Sequence, residues 1–163
     1  MKKLFYLLFA FSFFFLSCEE ETEDPFNPTS SFSCKIDGIQ LSDSDPSGHI
    51  ITNNPALNGA LEISATSNLK NGDVMNTVYL TIYNFSSVTE NSTILIGTNG
   101  SGQVWQAADV YSTEIPNFTG TLLFSEITAN KVSGTFSFEA LNIDPNISTK
   151  VTVTEGSFSD VNY

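Results

Sequence analysis

The stretch Val104-Trp105-Gln106-Ala107-Ala108-Asp109-Val110-Tyr111 holds the residue types that sugar binding needs. Read as one strand, its period-two alternation puts Trp105, Ala107, Asp109 and Tyr111 on a single face. An aromatic platform beside a carboxylate suits a neutral sugar, which stacks its C–H face and hydrogen-bonds through its hydroxyls. Tyr79 and Tyr83 would extend that platform, or would pack against a neighbouring strand as cross-strand pairs. The plainer alternative makes Trp105 and Tyr111 core residues, with Asp109 near a strand end.

A second candidate is the loop Asp43-Ser-Asp45-Pro-Ser47-Gly48-His49, which begins like an oxygen-rich calcium loop. Hard cations take several carboxylate and carbonyl oxygens, and Asp43, Asp45 and Ser47 alternate as ligands would. The twelfth position, where a bidentate glutamate should close the loop, is Asn54, and Pro46 restricts the chain. A plain Asx-type turn competes with the cation site. Gly97-Thr-Asn-Gly-Ser-Gly102 is glycine-rich, but it lacks the Lys-Ser/Thr and the following helix of a phosphate loop, so it reads as a hairpin loop. His49 is the only histidine, which excludes a histidine metal cluster. A Ser-His-Asp triad would have to run through it, and no G-x-S-x-G is present. Glu62, Glu126 and Glu139 fall on expected strands and could pair as glycosidase carboxylates, although solvated or edge positions explain them more simply. No constellation fills the roles catalysis requires, so the expectation is a non-enzyme without cofactors.

The elements that must position these residues are strands. From residue 31 onward the hydrophobic period is two, with turn residues at regular intervals and no convincing helix. Expected strands are 31–36, 39–42, 60–66, 74–85, 93–97, 103–111, 118–128, 131–141 and 149–159. A short strand at 49–52 sits within an otherwise irregular 43–59. On 74–85, Val74, Val78, Leu80 and Ile82 take one face, and Tyr79, Thr81, Tyr83 and Phe85 the other. Asp37-Gly38 and Asn71-Gly72 supply left-handed turn positions, while Ala129-Asn130 and Asp144-Pro145-Asn146 join later strands. Gly134 and Gly156 interrupt good strands and suggest bulges. The fold class is therefore all-β: an antiparallel meander of about 8–9 strands, closing as a β-sandwich or partly open barrel.

The first residues concern delivery. Lys2 and Lys3 precede an apolar run from Leu4 to Leu16, which at ~1.5 Å per residue spans roughly 20 Å, short of a ~30 Å bilayer core. That pattern is a signal peptide, residues 1–17. Phe15-Leu16-Ser17-Cys18 resembles the lipobox of bacterial lipoproteins, which implies acylation of Cys18 with diacylglycerol and palmitate-type chains. An ordinary secreted protein with an incidental cysteine and an uncleaved membrane anchor are the alternatives. Residues 18–31 then form an acidic tether rich in Glu, Asp, Pro and Ser, and 32–163 a single domain. The acidic run is a spacer, or it resembles the signal that sorts lipoproteins to the outer face of the outer membrane in some Gram-negative bacteria.

Without Lys2 and Lys3 the chain keeps four lysines, no arginine and 18 acids. Nucleic acid and anionic headgroups are therefore poor partners, whereas cations, neutral glycans, peptides and proteins remain open. If Cys18 carries lipid, Cys34 has no disulfide partner; in Phe32-x-Cys34-x-Ile36 it falls in step with core residues.

Phe32-Ser-Cys-Lys-Ile-Asp-Gly38, Gly134-Thr-Phe-Ser-Phe-Glu-Ala140 and Val151-Thr-Val-Thr-Glu-Gly-Ser-Phe158 together resemble an uncharacterised family of small all-β bacterial lipoproteins, a domain of unknown function. The resemblance implies an exported all-β module and carries no activity with it. Family members usually place an aromatic shortly after the Asp-Gly turn, where this chain has Ile39 and Leu41. The resulting expectation is a lipid-anchored, non-catalytic envelope or surface lipoprotein of the outer membrane, binding an extracellular ligand such as a glycan or an envelope protein. A structural or accessory subunit of an envelope complex, without a small-molecule ligand, is the alternative.

Overall fold

The computed structural model describes residues 30–43, 45–52, 54–67 and 75–163. The apolar leader, Cys18, the acidic run, Val74 and the Asn71-Gly72 turn lie outside those residues.

Among the described residues eleven strands form one continuous all-β assembly. In chain order they are β1 (Ser31–Ile36), β2 (Ile39–Asp43), β3 (Ser47–Ile50), β4 (Leu61–Thr66), β5 (Asn76–Ile82) and β6 (Thr93–Ile96). There follow β7 (Gly100–Gln106), β8 (Asp109–Ser112), β9 (Gly120–Ile127), β10 (Lys131–Asn142) and β11 (Lys150–Asn162). A 3₁₀ turn covers Phe85–Ser87. The expected run 103–111 is two strands, and β7 begins three residues early, because Gly100 to Gly102 pair with β5 instead of joining the glycine-rich turn.

Successive strands are mostly hairpin neighbours, as in a meander, and four further pairings close the sheet. β1 pairs with β11, β5 with β7, β6 with β9, and β8 with β10. The cycle β10-β9-β6-β7-β8 is a closed five-strand barrel, sealed by the parallel bridge Ile96↔Gly100 and by Leu141↔Ser112. The remaining strands continue the sheet to edges at β2 and β3. These edges fold over one another: β3 packs on β11 and β2 on β4. Asp43 staples them by accepting a hydrogen bond from the Thr66 amide at 2.8 Å.

Alternation explains which face is inside. On β4, Leu61, Ile63 and Ala65 are buried; on β5, Val78, Leu80 and Ile82 join them. Phe85 is the exception to the expected pattern. β5 ends at Ile82, and Asn84 at φ 50° turns the chain so that Phe85 packs inward against Phe124 at 5.8 Å. On β11 the buried residues are Val151, Val153, Gly156, Phe158 and Val161, so the period lengthens from two to three twice. Each lengthening contains a left-handed residue, Glu155 (φ 51°) and Asp160 (φ 52°), and coincides with a register shift against β10. The bulges keep apolar side chains facing inward along a strand too long for one regular twist. Gly156 follows one bulge on β11 and Gly134 sits beside the other on β10, neither adopting positive φ itself.

Cys34 is fully buried in the core. Burial pushes its thiol from 9.0 up to about 12. The unfolded chain therefore releases this proton first, and stability falls as pH rises from 9.0 towards about 12. Urea unfolding across that window should show a steeper alkaline loss in the native protein than in Cys34→Val. Equal slopes would mean that the thiol ionises as freely in the fold as in water.

Candidate ligand-binding groove

β3, β4, β5 and β7 present one outward face, and their registers stack its side chains into rows. His49, Glu62, Thr81 and Ser101 form one row, and Ser47, Ser64, Tyr79 and Gln103 the next. Thr66, Thr77 and Trp105 form the third. Tyr79, Thr81 and Tyr83 share this face because they alternate with the buried Val78, Leu80 and Ile82.

Trp105 is 46% exposed, yet it is not loose. Its ring meets Tyr79 at 5.5 Å between centroids and 55° between planes, and its indole N–H donates to Gln103 Oε1 at 3.3 Å. That bond fixes which way the Gln103 amide points and leaves its NH₂ as a donor. The pair forms one wall of a groove of about 320 Å³. Leu57, Tyr83, Glu62, Glu114, Thr81 and Ser101 complete the lining. Tyr83 donates its hydroxyl to Glu114 Oε1 at 3.2 Å. Burial pushes that hydroxyl's pKa up and the Glu114 carboxylate pushes the same way, against a hydrogen bond with Ser101 that lowers it. At the rim, His49 Nε2 lies 3.8 Å from Glu62 Oε1.

The groove brings together Trp105, Tyr79 and Tyr83, and it excludes Asp109 and Tyr111. The reason is a tight turn at Ala107-Ala108, with Ala107 at φ 52°, which splits the expected strand into β7 and β8. Folding back pairs Trp105 with Val110 and Val104 with Tyr111. Tyr111 is therefore on the inner face beside Val104, 8% exposed, while Trp105 is outside. Asp109 pairs with Gln106 and accepts a hydrogen bond from Asn142 Nδ2 at 3.3 Å, away from the groove.

Asp43, Asp45 and Ser47 are likewise not gathered as ligands. Asp43 Oδ1 accepts from the Asp45 amide at 2.9 Å, and its other oxygen accepts from Thr66, so backbone donors occupy the carboxylate. Ser47 bonds to the Ser64 hydroxyl at 2.7 Å. Asp43 and Asp45 thus make an Asx-type hydrogen bond. Among the described residues no group of three His, Cys, Asp or Glu side chains could hold a metal ion.

No family model, curated protein or solved structure matches this chain. The chemistry of the groove therefore rests on its own residues. Glu62, Glu114, Gln103 and Thr81 were missed as partners of Trp105 because they come from β4, β5, β7 and the segment after β8. Gln103 follows from parity with Trp105 on β7, and only the pairing order brings in the other three. Of the three strand carboxylates, Glu62 alone lies here; Glu139 is bonded to Lys150 Nζ at 3.0 Å on β10, and Glu126 is exposed on β9.

Proposed function

We propose that the chain is a lipid-anchored, non-catalytic glycan-binding module of the bacterial cell envelope. The observation that carries the reading is an exposed tryptophan held at an angle to a tyrosine, over a sugar-sized groove edged by carboxylates and an amide. The two rings offer an apolar face that a sugar's C–H face can cover while its hydroxyls use the polar rim. The anchor is part of the same proposal. The leader's length and the Ser17-Cys18 step support acylation at Cys18, and two or more acyl chains hold a protein stably on a bilayer. Membership in the small all-β lipoprotein family that its β1 and β10–β11 segments resemble also belongs here, as does a place on the outer membrane.

Two carboxylates in one groove invite a hydrolytic reading. A general acid is normally a carboxyl buried in apolar surroundings, and Glu114 is exposed and tied to Tyr83. Binding without turnover fits better. A second reading, an accessory subunit docking on a protein, is favoured by Leu95 (52% exposed) and Leu123 (41%), which lie on the paired strands β6 and β9.

Two measurements test the proposal. Metabolic labelling with palmitate should mark the native protein and not Cys18→Ala. Immobilised neutral and amino glycans should retain the protein without releasing reducing ends. Label on Cys18→Ala removes the anchor; free reducing ends replace a binding module with a hydrolase.

A further inference from the structure

We infer that the glycan taken by this groove carries a protonated amino group, so that the preferred ligand is a non-acetylated amino sugar. The inference rests on the glycan-binding reading and narrows it. The aromatic wall alone accepts any hexose, because every pyranose ring offers a C–H face. What selects among them is charge. Glu62 and Glu114 both line the groove, and none of its lining residues is a lysine or arginine. Three of the lysines are engaged elsewhere: Lys35 with Glu155, Lys131 with Asp160 and Lys150 with Glu139, all on the β1, β10 and β11 side of the molecule.

An acidic sugar would bring a third carboxylate into a space that already holds two, in a protein of formal charge −12. A neutral N-acetyl sugar would hydrogen-bond to either acid but would bring no positive charge to pair with it. An ammonium group attached to a ring stacked on Trp105 would meet both kinds of attraction at once. It donates charge-assisted hydrogen bonds to a carboxylate, and the faces of Trp105 and Tyr79 attract a cation through their quadrupoles. Glu114 is already oriented for this by the Tyr83 hydroxyl, which occupies Oε1 and leaves the rest of the carboxylate to a ligand. Glu62 is partly buried, so its attraction to a cation is less screened than that of a free surface acid.

The test uses the full chain in a detergent without sugar groups, at a pH below the pKa of the sugar amine. Calorimetry compares a β-linked glucosamine oligosaccharide, its fully N-acetylated counterpart and an oligogalacturonate. The glucosamine series should bind about tenfold tighter than the acetylated one at low salt, equivalent to about 1.4 kcal/mol. That preference should shrink as ionic strength passes about 0.1 M, and the oligogalacturonate should bind least. Glu62→Gln and Glu114→Gln should each move the glucosamine affinity towards the acetylated value, with unchanged melting temperature confirming the fold. Equal affinity for the amino and acetylated series, or a preference that salt does not weaken, overturns the inference while leaving glycan binding in place. If none of the three is held and Trp105→Ala behaves as the native protein does, the glycan reading falls too.

Discussion

Trp105→Ala should lose glycan binding by about 30-fold or more while its melting temperature stays within about 2 °C of the native protein. The first half follows from what the side chain does. Rigid aromatic anchors at the centre of a binding surface are commonly worth about 2 kcal/mol or more on truncation, which is a factor of about 30. The second half follows from where it is. At 46% exposure on the outer face, its removal opens no interior cavity, and surface substitutions usually shift stability by no more than about 0.5 kcal/mol. The contact with Tyr79 and the bond to Gln103 are the interactions lost from the fold, and both are at the surface. Tyr111→Ala supplies the contrast. Only 8% exposed and packed beside Val104, it should cost about 3–5 kcal/mol, as large aromatic truncations in cores do. Thermal melting and retention on an immobilised glycan, run on both variants, separate the two cases. A Trp105→Ala protein that melts many degrees lower would make the tryptophan structural and remove the platform.

That contrast also marks the limit of what the sequence discloses. Strand positions were legible because buried β-branched and aromatic residues alternate, as on β4, β5 and β10. The Asp37-Gly38 turn was legible because both positions need positive φ and carry residues that tolerate it, at 48° and 83°. The Ala107-Ala108 turn was not. Alanine carries no turn signal, and its left-handed φ of 52° is imposed by the pairing of β7 with β8. One unmarked turn therefore reverses which side of the sheet Tyr111 occupies relative to Trp105. The groove was half legible. Parity along β5 puts Tyr79 and Tyr83 on the same face, but no local feature says that β4 and β7 flank β5. Gln103 shares parity with Trp105 on β7, but without that order Glu62 and Glu114 cannot be attached to the site.

The same gap between local signal and tertiary cause makes the last prediction counterintuitive. A glycine within a strand suggests a backbone that only glycine adopts, and Glu155-Gly156 looks like such a place. The structure reverses the roles. Glu155 carries the left-handed φ of 51°, whereas Gly156 lies directly across from Phe136 in the β10–β11 register. A Cβ on Gly156 would sit 2.6 Å from the Phe136 ring and 2.6 Å from its carbonyl oxygen. Gly134 repeats the arrangement in reverse, facing Phe158, with a Cβ that would come within 2.7 Å of that ring and 2.5 Å of the Leu123 carbonyl. Each glycine thus opens a slot for the partner strand's phenylalanine, and the two rings lie 6.3 Å apart in the core. Gly156→Ala and Gly134→Ala should each cost about 2–3 kcal/mol, because a backbone carbonyl cannot swing aside as a flexible side chain can. Glu155→Gly should be nearly neutral. It relieves a left-handed strain of about 1 kcal/mol and gives up an exposed pair with Lys35 worth about as little, together with some backbone entropy. Urea unfolding of the three variants ranks them. If Glu155→Gly is the damaging change and Gly156→Ala is silent, the glycine serves the backbone turn, and the phenylalanine slots do not hold the sheet together.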